Sequence, residues 1–393
     1  MHVVVVGAGV LGASVAYHLA RAGLEVTLID RADEGRATAA GAGIVCPWGS
    51  TIEDAASYAL LAGGARYYSQ LVALLAEDGE TDLGYAQVGG LYVPAEPDDL
   101  DQLERRARAR AIDAPEAGGI ERLSPTDARA LFPPLRRDQP ALFVSGGARV
   151  DGRRLAAALG RAAVKHDARL LNGSAELVRQ GHGVAGVRIG GELIEAEGVV
   201  VAAGAWAPSL LTSVGVELAV APQRGQIVHL RLAGTDTARW PVLLPLSSYY
   251  LLAFEDARVV IGATRETNSG FDYRLTAAGV AEVLNAGLAV APGLAAWTLH
   301  EIRVGFRPLA HDNRPKLGPV PGLENLFVAN GLGPSGLTMG PYAGALIADL
   351  VLGKPPKLAL APFGVATSSL GPSLGPSLGP SLGPSLGPSL GKT

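Results

Sequence analysis

The first thirty residues constrain the fold more than any other part of the chain. His2-Val3-Val4-Val5-Val6 is an unbroken apolar run, Gly7-Ala8-Gly9-Val10-Leu11-Gly12 follows it, and a helical stretch from Val10 to Ala22 leads to a second run, Glu25 to Ile29, closed by Asp30. This order predicts a βαβ unit with parallel strands. In G-x-G-x-x-G each glycine has its own reason. Gly7 permits the sharp turn, Gly9 lets a pyrophosphate approach the backbone, and Gly12 lets helix and strand pack closely. The helix start offers unpaired N–H groups and a partial positive charge to phosphates. Asp30, 18 residues past Gly12, can accept hydrogen bonds from ribose hydroxyls, and its charge disfavours a 2′-phosphate, with Arg31 beside it as the opposing influence. The turn by itself does not separate NAD from FAD.

Beyond this unit the pattern keeps alternating. Helical stretches are expected at Ile52–Leu75, Asp98–Ala111 and Gly152–His166, with strands at Gly90–Val93, near Leu170, at Ala185–Ile189 and at Val199–Ala203. From Gln226 the chain changes character, and Ile227–Leu232, Val242–Leu246, Tyr249–Phe254 and Val259–Ala263 resemble successive antiparallel strands. A helix at Thr276–Ala289, strands at Ile302–Phe306 and Leu326–Ala329, and a helix at Leu337–Leu352 complete the pattern. The fold class expected is α/β: a Rossmann-like dinucleotide-binding domain built from discontinuous segments, with an inserted α+β substrate domain whose sheet is mostly antiparallel. The first domain takes residues 1–83, 141–221 and 305–363, and the second takes 84–140 and 222–304. Residues 364–393 form a tail of Ser-Leu-Gly-Pro repeats, where proline at every fourth position forbids a helix, so disorder is expected.

Composition narrows the partners. Lys and Arg number 33 against 37 Asp and Glu, which leaves no basic footprint for nucleic acid. The single cysteine, Cys46, excludes an intramolecular disulfide and a cysteine-cluster metal site, and no histidine pair has metal-ligand spacing. Leu326 to Ala348 carries no charge over 23 residues, but five glycines and two prolines make it a poor membrane span. The apolar strand at the start replaces a secretory signal, so the cytoplasm is the expected location, with peripheral membrane association left open.

Three further segments bear on the cofactor. Ala37-Thr38-Ala39-Ala40-Gly41-Ala42-Gly43-Ile44 is a small-residue loop suited to passing under a flat ring or along a ribityl chain. Val199–Ala203 runs into Gly204-Ala205-Trp206, and Gly331-Leu332-Gly333-Pro334-Ser335-Gly336-Leu337-Thr338 opens the last helix, whose N-terminus can stabilise negative charge on a reduced flavin. Together with Gly305-Phe306-Arg307-Pro308, these motifs in this order resemble the FAD-dependent D-amino-acid oxidase superfamily over roughly residues 1–353. The similarity is greatest to its bacterial D-amino-acid dehydrogenase and glycine oxidase branch.

The resemblance implies non-covalent FAD, since the late cysteine to which monomeric sarcosine oxidases attach their flavin has no counterpart here. Against that cofactor it places Gly7, Gly9, Val10, Leu11, Gly12, Asp30 and Arg31 at the dinucleotide end, and Thr38, Ala39, Gly41, Gly43 and Ile44 in the small-residue loop. Leu177, Ala203, Gly204 and Trp206 follow, and then Arg307, Gly333, Ser335, Gly336, Leu337 and Thr338. It also implies oxidation of the CH–NH2 group of a D-amino acid by hydride transfer to flavin N5, giving an imino acid that hydrolyses to a 2-oxo acid and ammonia, with oxygen or a quinone as final acceptor. Arg307 matches the carboxylate-binding arginine of that family, although a structural ion pair with Asp312 is the alternative. Tyr249 or Tyr250 is expected to contact substrate, strand alternation allowing only one to face it, and Arg265 is a second candidate pocket cation. Trp48 is either a pocket wall or core. Glycine, sarcosine or a proline-like secondary amino acid is the alternative substrate; a flavoprotein subunit of an electron-transfer complex and an NAD-dependent dehydrogenase are the alternative functions.

Overall fold

The computed structural model describes residues 1–94, 99–247 and 249–365. The expected repeat tail lies outside these residues from position 366 onward, as does Asp98, the expected first residue of the charged helix, which runs Asp99–Ala111. A six-stranded sheet carries Lys316–Pro319, Leu326–Asn330, Gly198–Val201, His2–Val6, Glu25–Asp30 and Arg169–Asn172 in that spatial order. Five of the six are parallel, and Lys316–Pro319 is the antiparallel edge. The valine run explains the central position of His2–Val6. Val3 and Val5 enter the apolar core made with helices Val10–Arg21, Ala55–Glu77, Gly152–Lys165 and Gly336–Val351, while Val4 and Val6 enter the core on the opposite face. A strand buried on both faces has no polar alternation to show.

That opposite face is covered by a three-stranded antiparallel sheet of Ala175–Gln180, Gly183–Ile189 and Glu192–Glu195. The chain leaves His2–Val6 toward Glu25–Asp30 on one side and returns at Gly198–Val201 on the other, so the strand order reverses at the first strand. Crevices open at the carboxyl ends of parallel strands where order reverses in this way.

The second large sheet has eight strands in the order Thr298–Ala310, Val220–Arg231, Arg258–Gly262, Tyr250–Phe254, Val242–Pro245, Gly90–Val93, Ala141–Val144 and Ile120–Leu123. All its pairings are antiparallel except that of Val242–Pro245 with Gly90–Val93. Helix Ala277–Val290 packs on one face through Val283. The strands Val220–Arg231 and Thr298–Ala310 are longer than expected, and their ends at Val220 and Ala310 are buried in the core of the parallel sheet. They tie the two sheets together and carry residues 305–307 to the crevice. Ala141–Val144 belongs to the eight-stranded sheet, so the boundary expected at 141 is moved to follow Val144; the division into two domains remains our proposal.

Candidate active site

A cavity of about 1000 Å³ runs from the glycine turn along the crevice to the edge of the eight-stranded sheet. At its dinucleotide end Gly7 has φ +109, a conformation that L side chains rarely adopt, and a Cβ there would stand 2.5 Å from the Ala202 carbonyl oxygen. Gly12 does not line the cavity; a Cβ on it would run into the carbonyl oxygen of Gly7, so it serves the close packing expected of the third glycine. Asp30 lines the cavity with its carboxylate already engaged: one oxygen accepts from the Ala8 amide at 2.6 Å, the other from the Ala32 amide at 2.6 Å and from Arg36 at 3.1 Å. Arg31 turns to Asp33 instead, at 2.9 Å. Arg36 was not anticipated, because nothing in its sequence context distinguishes it from a surface cation.

Two helices begin at this cavity without side-chain caps. Val10–Arg21 starts after Gly9, and Gly336–Val351 starts after Ser335. Helix starts leave backbone N–H groups that need acceptors. At the first, the Val10 amide donates to Thr38 Oγ1 at 3.0 Å, and Gly9, Val10 and Leu11 border the cavity. At the second, Gly333, Ser335, Gly336, Leu337 and Thr338 border it. The turn before the second helix is held by Asn330, whose side chain donates to the Gly204 carbonyl at 2.9 Å and accepts from the Gly331 amide at 2.7 Å. Thr338 donates to the Ile44 carbonyl at 2.7 Å, fixing the small-residue loop to the same helix.

Gly41, Gly43, Ile44, Ala203, Gly204 and Trp206 line the cavity as expected, but Ala39 and Leu177 do not. The Ala39 carbonyl is bound by Arg153 at 2.8 Å on the outer side of the loop. Leu177 sits on a strand of the small antiparallel sheet and turns its side chain into the core, and its neighbours Ala175 and Glu176 reach the cavity in its place. Trp48, only 1 % exposed, is core and not pocket wall.

At the far end stands Arg307. Its Nη1 donates to the Thr264 carbonyl at 3.0 Å and to Gln223 Oε1 at 3.4 Å, and it has no ion pair among the described residues. The alternative ion pair with Asp312 is absent, since Asp312 is bound to Lys316 at 2.6 Å. Burial is the main influence lowering the Arg307 pKa; the nearby Tyr250 hydroxyl opposes it, and Arg265 adds to it by like charge. An arginine stays protonated through such shifts, so its charge stands ready for an anion.

Two glycines make room here, and sequence reasoning missed both. A Cβ on Gly225 would lie 2.6 to 2.8 Å from the Arg307 guanidinium, and one on Gly262 would lie 2.5 Å from the Tyr250 hydroxyl. Gly262, near the end of the expected strand Val259–Ala263, carried the signal of a glycine within a strand, which marks close approach of another group, whereas Gly225 lay before the expected start of its strand at Ile227 and carried none.

Tyr249 and Tyr250 both border the cavity. Alternation nevertheless separates them: the Tyr249 hydroxyl donates to Glu282 on the covering helix, while Tyr250 lies next to Arg307, with its hydroxyl raised by burial. Arg265 borders the same end. Under it, Arg224 clamps Glu266 at 2.5 Å, and Glu266 in turn accepts from Thr264 at 2.6 Å and from Gln226 at 2.8 Å. Burial pushes the Glu266 carboxyl up, but these hydrogen bonds outweigh it and hold the group below the usual carboxylate range. Thr264 is thereby fixed, and through its carbonyl so is Arg307. Cys46 also borders the cavity, 3.3 Å from the Tyr92 hydroxyl, with its thiol pushed up to about 12 by burial.

Two uncapped helix starts over a glycine turn, with a guanidinium that makes no ion pair among the described residues at the far end of the same cavity, suit a dinucleotide beside an anionic group. Comparison with known proteins makes this specific: residues 2–350 match the FAD dependent oxidoreductase family (DAO), and the chain belongs to it. The uncharacterised oxidoreductase YurR of Bacillus subtilis (strain 168) is 47% identical over 92% of this chain and 98% of its own. The glycine oxidase of Pseudomonas aeruginosa is 33% identical over 93% of this chain and 98% of its own. The crystal structure of iminodiacetate oxidase from Chelativorans sp. BNC1 superposes with a TM-score of 0.90 at 50% identity, covering 92% of this chain and 98% of that one.

The family match replaces the NAD alternative with FAD. The residues present fit that cofactor, because the cavity volume stands at the top of the range for ligand sites and far exceeds what a small amino acid needs. The two helix starts would supply donors for the pyrophosphate and for the anionic edge of a flavin ring. Among the described residues no helix is long and apolar enough to cross a membrane.

Proposed function

We propose that this protein oxidises the amine of glycine or of an N-substituted glycine, yielding an imine that water splits into glyoxylate and the free amine. Arg307 is the observation that carries the reading: a half-buried guanidinium, without an ion pair among the described residues, on a cavity that also accommodates FAD. A planar guanidinium binds a carboxylate bidentately and fixes its plane. Thr264 and Gln223 hold Arg307 so that the carboxylate, once bound, orients the adjacent carbon. FAD bound non-covalently in this cavity would supply the two-electron oxidant for the carbon that bears the amine. The nitrogen loses its proton as the C=N bond forms. No histidine borders the cavity among the described residues, and Tyr250 is the titratable side chain that stands next to Arg307.

The resemblance to D-amino-acid enzymes implied a side chain on the reacting carbon. Our reading turns to substrates with CH2 at that position because the glycine oxidase and iminodiacetate oxidase relatives are named for compounds of that kind. Turnover of the isolated chain with glycine, sarcosine and D-alanine, followed by identification of the 2-oxo acid, tests this. Glyoxylate from glycine or sarcosine is expected. Pyruvate from D-alanine at a higher kcat/KM would return the D-amino-acid reading, and no product from any of them would favour the electron-transfer subunit.

A further inference from the structure

On the strand Val220–Arg231, two residues meet the Arg307 guanidinium: Gln223 by a hydrogen bond at 3.4 Å, and Gly225 by leaving room for it. Alternation turns the side chains of Arg224 and Gln226 to the other face of the sheet. Neither borders the cavity, and neither do Thr264 and Glu266. On that hidden face Arg224, 7 % exposed, engages two acids with its whole fork. Its Nε and Nη2 reach one oxygen of Glu266 at 2.9 and 2.5 Å, and its Nη1 reaches Asp272 at 2.7 Å. The other Glu266 oxygen accepts from Thr264 Oγ1 at 2.6 Å and from the Gln226 side chain at 2.8 Å, while Thr264 Oγ1 accepts from the Gln226 backbone amide at 2.9 Å. Thr264 is thus held from behind, and its carbonyl receives Arg307 in front at 3.0 Å.

Holding Thr264 with an acid has a consequence for Arg307. A carboxylate behind a guanidinium opposes its attraction for an anion in front, and the charge of Glu266 does reach Arg307. Two cations cancel the excess. Arg224 serves both Glu266 and Asp272, and Arg274 binds Asp272 at 2.9 Å, so two acids face two arginines. A tie between strands needs only apolar packing, and burying a guanidinium costs desolvation. Balancing the acid that grips Thr264 gives the buried charge a reason.

We propose that Arg224 is a positioning residue for Arg307: it cancels the charge of Glu266, so that Glu266 fixes Thr264 without weakening the hold of Arg307 on a carboxylate. This rests on the reading of Arg307 as the carboxylate-binding group, and it assigns a role in substrate affinity to a residue outside the cavity.

The test titrates the full chain, loaded with FAD, with (methylthio)acetate while the flavin spectrum is followed. This probe is sarcosine with sulfur in place of nitrogen, so it has the carboxylate and no amine to oxidise. Arg224→Met removes the charge and keeps an unbranched side chain, and it should weaken binding about 10-fold, the scale of one uncompensated charge acting through partly screened surroundings. Adding Glu266→Gln to the same chain should return Kd to within about threefold of wild type, because the opposing charge is gone while the amide oxygen still accepts from Thr264. With sarcosine as substrate the same pattern should appear in KM, with kcat kept within about threefold. Flavin absorbance and Tm report whether each variant is folded. Should Arg224→Met not fold, Glu266→Gln alone decides: it should bind the probe at least as tightly as wild type, and binding weakened more than about threefold overturns the inference. Unchanged binding in folded Arg224→Met overturns it too, as does a loss that Glu266→Gln fails to restore, since Arg224 would then serve structure alone. Wild-type flavin that does not respond to the probe overturns both this inference and the reading of Arg307. Failure of every amine to react, with the probe-binding pattern intact, removes the proposed function but not the role of Arg224.

Discussion

Gly225→Ala separates the position of Arg307 from its charge. Gly225 lies in the strand Val220–Arg231, opposite Gly305, and its φ lies outside the left-handed region, so the backbone accepts alanine. The new methyl would stand 2.6 to 2.8 Å from three guanidinium atoms, where ordinary contact begins at 3.4 Å. The guanidinium must therefore retreat by about 0.8 Å, enough to break the 3.0 Å hydrogen bond to the Thr264 carbonyl. Because the obstructed atoms are the end of a flexible side chain, the fold absorbs the change, and a glycine replaced without strain gains about 0.4–1 kcal/mol through the unfolded chain. A displacement near 1 Å in a substrate-positioning group costs about 100-fold in catalysis. The expected result is a Tm equal to or slightly above wild type, full flavin content, and kcat/KM for the amine substrate lowered about 100-fold. Thermal unfolding, flavin absorbance and steady-state kinetics measure the three. A kcat/KM within about threefold of wild type, in a folded and flavin-loaded variant, would refute the placement of Arg307 against the substrate.

Gly12→Ala should act at the other end. Its methyl meets the Gly7 carbonyl, which is backbone and cannot swing aside, so the turn and helix must separate; purified protein should retain less than about a tenth of the wild-type flavin, and a normal flavin-to-protein ratio would contradict the packing role. His229 is 2 % exposed, and burial together with Arg303 and Arg258 pushes its pKa down to about 3. Because the unfolded chain protonates this ring at its ordinary value near 6.5 while the folded one does not, its contribution is fully present above that pH and is lost on acidification toward pH 3, by about a few kcal/mol in all. His229→Gln should flatten the stability–pH curve over that window, and an unchanged slope would count against it. Cys46, buried with a thiol pushed up to about 12, should resist alkylation at pH 8 in the native protein and react only on unfolding. Rapid native labelling would show the loop to be open.

The dinucleotide half of the site was legible because its chemistry is written in contiguous residues. Val3 to Gly12 specifies strand, turn and helix in one stretch, and Asp30 follows at the end of the next strand. The half proposed to hold the substrate was legible only in part. Arg307 stood in a recognisable motif, but its partners Thr264 and Gln223 lie on other strands and come together only through antiparallel register. Alternation led us to expect only one of Tyr249 and Tyr250 at the pocket, whereas both border the cavity; Tyr249 precedes the strand and is turned to Glu282 on the covering helix, and Tyr250 lies next to Arg307. The strands Ala175–Gln180 and Glu192–Glu195 escaped notice because exposed faces make them half polar, with no long apolar run. Leu177 was misplaced for the same reason, since one residue of register decides whether a side chain enters the core or the cavity.

Anaerobic mixing of the flavin-loaded protein with glycine, sarcosine and iminodiacetate, beside the Arg307→Ala variant, addresses the central claim most directly. Amine oxidation directed by Arg307 predicts bleaching of the wild-type flavin absorbance by at least one of these compounds. It also predicts an Arg307→Ala protein that keeps its flavin but needs at least about 100-fold more substrate to reach the same rate, since a half-buried guanidinium–carboxylate pair has been removed. Equal bleaching of both proteins at the same concentrations would contradict it.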